Sequence, residues 1–346
     1  MGEHPPIDRS GLWQRTGRNV LEGFRNMYQP CVLEEPGQAY RFKMWFFGWS
    51  LVDTNSHLGI SGCDMIFHAR SRDLDHWEVW CGDGRWDATG RDVASWRPVL
   101  APEGVFYDAW HDGDPSVVRK GGRYYMAYSA TSNPFSAPAP GYPADMVQCI
   151  RGAVSDDGIH WRRVPWPLLI APGDEVAATP NPQRIGDYHR PCLRWERDRW
   201  RLWFDYWAPG KGTGMGHAGN AGDFETPGGF TITHPLDQPL IQNWPNPDVV
   251  KAEGWYYSFA DPVIYPGHTG WAARQIAEAR SQDGIVWEVL GYVQPDPDTP
   301  ACHVPQACVL TMDGREWLYV FYSCQIGGEP YDWRYNRIRY MRRALE

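Results

Sequence analysis

The sequence predicts an all-β chain: a five-bladed β-propeller of four-stranded antiparallel blades, its ring closed by an N-terminal strand. Three observations predict it. A proline opens a strand-like run five times. Each of these runs leads into an aromatic-rich strand. A Ser-x-Asp turn ending in Trp then recurs after a third strand. A repeat of roughly 55–85 residues made of short strands is the pattern of propeller blades.

The five openings are Gln29-Pro30-Cys31-Val32, Asp114-Pro115-Ser116-Val117, Arg190-Pro191-Cys192-Leu193, Asn246-Pro247-Asp248-Val249 and Val304-Pro305-Gln306-Ala307. The second strands follow in step from Phe42, Arg123, Trp200, Trp255 and Trp317. Third strands end in Ser71-Arg72-Asp73-Leu74-Asp75-His76-Trp77, Ser155-Asp156-Asp157-Gly158-Ile159-His160-Trp161 and Ser281-Gln282-Asp283-Gly284-Ile285-Val286-Trp287. The glycine accepts a positive φ and supports a tight turn, and the Trp opens the fourth strand. A worn copy of this turn stands near Gly222-Asp223-Phe224.

The expected blades run near 25–80, 112–166, 188–232, 244–291 and 302–341. The last blade has no Asp-Gly turn and no fourth strand. Residues 8–15, around Trp13, supply the missing strand, since a ring left open exposes sheet edges. One domain over 1–346 follows, because blades share a single ring.

Composition narrows the function. A net charge of −9 argues against a nucleic-acid partner. No apolar run is long enough to span a membrane. The first residues carry neither a basic segment nor an apolar core, so a cytoplasmic location is expected. Eight cysteines without a Cys-x-x-Cys pair argue against zinc, and no metal ligand set is expected. The 20 Trp and 18 Tyr exceed ordinary usage. Most should fill the wedges between blades. Trp49, Tyr206, Trp207 and Trp244, at or beyond the ends of second strands, are candidates for stacking on a sugar face.

Aligning the blades on their prolines places Gln29, Asp114, His189, Arg190, Asn246, Asp248, His303 and Gln306 around one axis. First strands lie nearest that axis, so these side chains are expected to share one pocket. Asp114 and Asp248 are candidate catalytic carboxylates. Asp261 joins them where the second strand of blade 4 returns to the same face. His189 is a candidate acid or base, because imidazole titrates near neutrality. Gln29, Arg190, Asn246, His303 and Gln306 are candidate substrate-binding residues. The two axial histidines leave room for a divalent ion in the channel; no other cofactor is expected. Glu175, in a long loop before blade 3, is a further candidate acid.

Blades opening on x-Pro, with Asp114-Pro115-Ser116-Val117-Val118, a Tyr124-Tyr125 strand and the Ser-x-Asp-Gly-x-x-Trp turn, resemble the five-bladed propeller glycosidases. These include invertases, levansucrases, arabinanases, β-xylosidases and α-L-arabinofuranosidases. The resemblance covers nearly the whole chain. It implies catalytic carboxylates at the starts of first strands in different blades. Asp112-Gly113-Asp114-Pro115 matches the Asp-Pro motif of a catalytic blade, which makes Asp114 a base or an orienting carboxylate and brings Asp112 to the site. Two positions depart from the pattern. Gln29 stands where the first blade's catalytic Asp is expected, and Tyr188-His189-Arg190-Pro191 where a Glu general acid is expected.

The leading expectation is an enzyme cleaving a small glycoside by carboxylate and histidine acid–base chemistry, with a carbohydrate as its partner. The alternatives are an intracellular glycoside phosphorylase, in which Arg190 and the histidines hold phosphate; a biosynthetic enzyme doing a non-hydrolytic rearrangement on this fold; and a non-catalytic carbohydrate-binding propeller.

Overall fold

The computed structural model describes residues 7–22, 25–50, 63–103, 107–108, 111–132, 147–172, 186–263, 274–293, 301–325 and 336–345. They form five antiparallel sheets arranged as the blades of a propeller. The strand β1 (Gln14–Arg15) comes first in the chain but belongs to the last blade. Blade 1 holds β2 (Arg25–Glu34), β3 (Phe42–Ser50), β4 (Cys63–Ser71), β5 (Trp77–Trp80) and a short β6 (Trp86–Asp87). Blade 2 holds β7 (His111–Lys120), β8 (Arg123–Ser132), β9 (Val147–Ser155) and β10 (Arg162–Arg163). Blade 3 holds β11 (Gly186–Glu196), β12 (Arg199–Ala208), β13 (Gly212–Asn220) and β14 (Thr231–Ile232). Blade 4 holds β15 (Asp248–Ala252), β16 (Trp255–Ala260), β17 (Ile276–Ser281) and β18 (Glu288–Val293). Blade 5 holds β19 (Cys302–Met312), β20 (Arg315–Gln325) and β21 (Asn336–Ala344), with β1 as its outer strand. Blade 1 departs from the expected four strands: Trp86–Asp87 turns back to pair with Val79 and Trp80.

Closure occurs where the sequence places it. Gln14 pairs with Arg342, and Arg15 with Met341. Trp13 is buried, edge-on to Phe259 at 5.6 Å. Upstream, Arg9 Nε meets Glu278 at 2.7 Å, so the segment ties blade 4 to blade 5. No helix among the described residues is long and apolar enough to cross a membrane.

The recurring Ser-x-Asp turn does more than reverse the chain. Ser155 Oγ accepts the Gly158 N–H at 2.9 Å, and Asp157 Oδ1 accepts those of Ile159 and His160 at 2.8 Å each. The freed Gly158 carbonyl accepts Trp161 Nε1 at 3.0 Å and Trp45 Nε1 of blade 1 at 2.9 Å. Blade 4 repeats the clamp, with Trp203 Nε1 donating to Gly284 O at 2.8 Å. Gly158 sits at φ +81°, and a Cβ there would lie 2.9 Å from Trp45. Glycine is therefore required both for conformation and for the close approach. In blade 3, Asn220 replaces the serine and accepts the Gly222 N–H at 2.7 Å.

The innermost strands of neighbouring blades touch one another all round the axis. One hydrogen-bond pattern joins them at every junction. The side chain just after each proline accepts the backbone N–H of the second residue after the next blade's proline. Cys31 Sγ accepts Val117 N at 3.2 Å, Ser116 Oγ accepts Leu193 N at 2.9 Å, and Cys192 Sγ accepts Val249 N at 3.2 Å. Asp248 Oδ2 accepts Ala307 N at 2.7 Å, and Gln306 Oε1 accepts Val32 N at 3.0 Å. Each donor lies at an inner edge that has no strand to pair with, so the ring satisfies backbone that would otherwise be buried unpaired.

This ring corrects two expectations. Asp248 and Gln306 are blade-to-blade fasteners, not members of the axial mouth. Below them Arg194 reaches into the axis, donating to Val249 O at 2.7 Å and Ala307 O at 3.2 Å. Burial pushes the Asp248 carboxyl up to about 6, with the Arg194 charge opposing.

Candidate active site

The residue before each proline has a left-handed backbone in all five blades. The φ values are +41° at Gln29, +51° at Asp114, +52° at Arg190, +53° at Asn246 and +50° at Val304. None is glycine, and each costs on the order of 1 kcal/mol or more. In blades 1, 2, 3 and 5 a register shift in the first strand coincides with this dipeptide, the mark of a bulge. Such bulges re-aim side chains.

The twist also turns the N–H of the pre-proline residue toward the preceding blade. Ser129 Oγ accepts Arg190 N at 2.7 Å, Asp205 Oδ2 accepts Asn246 N at 2.9 Å, and Asp261 Oδ2 accepts Val304 N at 3.0 Å. All three acceptors lie toward the ends of second strands. Asp205 and Asp261 thus hold the blades together with one oxygen and face the axial network with the other.

That network is continuous over blades 2 to 4. His189 Nδ1 is in ion-pair contact with Asp205 Oδ1, off the line of a well-aligned hydrogen bond. Arg190 lies between two carboxylates, its Nε 3.8 Å from Asp114 and its Nη1 3.6 Å from Asp205. Asn246 Nδ2 donates to Asp261 Oδ1, which fixes the amide so that Oδ1 is its acceptor face. Arg274 Nη1 meets Asp261 Oδ2 at 3.1 Å. Burial works to raise Asp205, but His189, Arg190 and the Asn246 N–H outweigh it and hold the carboxyl low. Asp261 goes the other way: burial raises it despite Arg274 and Arg190.

Four buried oxygens here, on Gln29 (Oε1), Asp114 (Oδ1), Asp205 (Oδ1) and Asn246 (Oδ1), make no hydrogen bond among the described residues. Unmet buried acceptors are costly unless a ligand or water serves them. Asp261 has both oxygens engaged by neighbours. Of the two carboxylate oxygens without a hydrogen bond, Asp114 Oδ1 is the more loosely held, 3.8 Å from Arg190 Nε, where Asp205 Oδ1 is in close contact with His189 Nδ1.

The structure distinguishes the two axial histidines. His189 keeps 18% of its side chain exposed, and its Nε2 makes no hydrogen bond among the described residues. His303 is buried, its ring centroid 5.2 Å from Tyr28 and its Nε2 3.4 Å from Asn336 Oδ1. Burial pushes His303 down to about 3, so it stays neutral at ordinary pH. Among the described residues no group of three or more His, Cys, Asp or Glu side chains is placed to hold a metal ion.

Several expected site residues lie elsewhere. Asp112 belongs to a buried ion cluster in blade 2, where Arg163 reaches it at 3.1 Å and Asp108 at 2.9 Å, and Arg151 also reaches Asp108, at 2.7 Å. The left-handed backbone at Asp114 and the register shift between Gly113 and Ser116 break the strand alternation that would otherwise put both carboxylates on one face. Trp49 is half-buried, 5.4 Å from the His111 ring. Tyr206 and Trp244 are core residues, donating to Leu236 O at 2.6 Å and to Ser258 Oγ at 2.9 Å. Trp207 is 43% exposed. It stands two residues beyond Asp205 on β12, and so on the same face. Glu175 lies outside the described residues. Asp205 was missed, although a lone acid inside Leu202-Trp203-Phe204-Asp205-Tyr206-Trp207 is a signal in itself.

No protein-family model matches the chain, and no curated protein matches it. Solved structures do. The chain is similar to Zg3597, a family 117 glycoside hydrolase of Zobellia galactanivorans, at 15% identity and TM-score 0.62, covering 95% of this chain and 89% of that one. It is similar to an α-L-arabinanase of Cellvibrio cellulosa at 12% identity and TM-score 0.54, with 92% of each chain covered. The β-fructofuranosidase BmSUC1 of Bombyx mori matches at 14% identity and TM-score 0.56, over 91% of this chain and 59% of that one. The fold is that of the five-bladed propeller glycoside hydrolases. At these identities the likeness is one of fold. Within a propeller glycoside hydrolase frame, the chain carries Gln29 and His189 where the resemblance leads one to expect Asp and Glu, and pairs that histidine with Asp205.

Proposed function

We propose that the protein cleaves a small, uncharged glycoside at the axial mouth, with His189 as proton donor and Asp114 as the second group. The observation that carries this reading is the His189–Asp205 pair set beside Arg190 and Asp114. Asp205 orients the imidazole, the part a carboxylate plays behind a catalytic histidine. Nε2 is then the nitrogen left to protonate the leaving oxygen. Asp114, whose Oδ1 makes no hydrogen bond among the described residues, takes the proton of the attacking water. Gln29 and Asn246 offer acceptors to sugar hydroxyls, and Trp207 offers a ring face.

Charge balance favours a neutral substrate over phosphate. Arg190 is flanked by Asp114 and Asp205, and Arg274 is matched by Asp261. Among the described residues the network holds three carboxylates against two guanidiniums and the His189 imidazolium, so no net positive charge is left over for an anion. Phosphorolysis therefore draws no support from Arg190.

The test is a panel of aryl and alkyl furanosides and pyranosides, read by sugar release. The wild type should turn over at least one member. His189→Asn should lower kcat on an alkyl glycoside by at least about a hundredfold. It should cost far less on a nitrophenyl glycoside, whose leaving group needs no proton. Equal losses on both, or none, would remove His189 from the role of acid.

A further inference from the structure

Cys302 and Cys324 face each other directly across β19 and β20. Of the strand-borne cysteines, Cys31, Cys63, Cys149, Cys192 and Cys308 lie opposite Trp45, Ser50, Ala130, Trp203 and Tyr319. Antiparallel pairs are of two kinds, and only one brings side chains close. Two hydrogen bonds identify this pair as the close kind. Gln325 N donates to Ala301 O at 3.2 Å, which makes the flanking residues the hydrogen-bonded pair. Cys302 N–H turns outward, to Arg274 O at 3.3 Å in blade 4. In such a pair the Cα atoms are about 4.5 Å apart and both side chains leave the sheet on one face. That separation lies within the range a disulfide spans, about 4.4–6.8 Å. Both residues belong to the same apolar cluster, with Cys302 3% and Cys324 0% exposed.

We propose that Cys302 and Cys324 are a disulfide-forming site, closed by exchange with a small-molecule disulfide. Cys302, at the start of β19, is the entry point. Its thiolate attacks one sulfur of oxidised glutathione, forming a mixed disulfide and releasing one glutathione thiolate. The Cys324 thiolate then attacks the Cys302 sulfur and releases the second. The protein gives up two protons and two electrons, and one glutathione disulfide becomes two glutathiones. The bond staples the two strands at the mouth end of blade 5. Cys302 adjoins His303, and its N–H holds the backbone of Arg274, the partner of Asp261. The staple therefore acts on the rim of the axial network without replacing any member of it.

None of the other strand-borne cysteines lies opposite a cysteine. Burial pushes Cys31 up to about 11 and Cys149 up to about 12, and raises Cys192 and Cys308 as well. The same burial acts on Cys302 and Cys324, so geometry and not acidity selects the pair: these two face each other across β19 and β20.

The experiment is incubation of the whole protein with oxidised glutathione, and separately with diamide. Alkylation and digestion without reduction follow, and peptides are read by mass spectrometry. A linked peptide joining Cys302 to Cys324, two hydrogens lighter than the sum of its parts, is expected, with a melting temperature higher by about 3 °C. Cys324→Ser should abolish the linked peptide, and Cys81→Ser should leave it intact. Full alkylation of both cysteines after both oxidants, or linkage of either to a different cysteine, would overturn the proposal. The readout is independent of any glycosidase activity.

Discussion

Replacing Asp114 by Asn should reduce turnover of a verified glycoside by at least about a hundredfold while leaving the melting temperature nearly unchanged. Asn keeps the shape and the hydrogen bonding of the carboxylate but neither its charge nor its proton exchange. Among the described residues Asp114 holds no backbone of another blade, unlike Asp205 and Asp261, and its charged partner there is Arg190 at 3.8 Å. A chemical role therefore shows in kcat and not in stability. Asp205→Ala should behave differently, losing both, because its Oδ2 also receives Asn246 N and no acceptor would remain. Near-wild-type turnover in Asp114→Asn would mean that the second proton transfer runs through another group.

Asp248→Ala should destabilise the protein by about 3–5 kcal/mol in chemical denaturation. The substitution strips the acceptor from a buried Ala307 N–H and leaves the half-buried Arg194 without the nearby carboxylate charge. It also opens one of five links in a ring whose members all depend on closure. Asp248→Asn keeps an acceptor oxygen and should cost clearly less, with turnover close to wild type. If Asp248→Ala unfolds at the wild-type denaturant midpoint, the ring does not hold the blades.

The blades were legible in the sequence because each is announced locally. The prolines mark the bulge, the Ser-x-Asp-Gly-x-x-Trp turn marks the third-to-fourth strand corner, and the lack of that turn after Met341 points to Trp13 as its substitute. The site was legible only in part, because local signals do not say which way a side chain turns. Residues on either side of a proline look alike in sequence. In the structure Asp114, Arg190 and Asn246, before their prolines, sit on a left-handed backbone that lifts them to the mouth. Asp248 and Gln306, after theirs, alternate into the inter-blade ring. Asp112 is carried off by Arg163, a residue of β10 that is distant in sequence. His189 and His303 hold equivalent places before their prolines, yet only His189 has a carboxylate opposite it on the second strand. At His303 that place is Ser323.

The central claim is that one site at the axial mouth binds a sugar between His189 and Asp114. A crystal structure with a bound furanoside, pyranoside or unreactive analogue tests it most directly. The account predicts a sugar ring with its leaving oxygen within hydrogen-bond reach of His189 Nε2, with Asp114 Oδ1 on the opposite side and with hydroxyls on Gln29 and Asn246. A ligand bound between blades or on the outer strands, with the His189–Asp205 pair untouched, would contradict it.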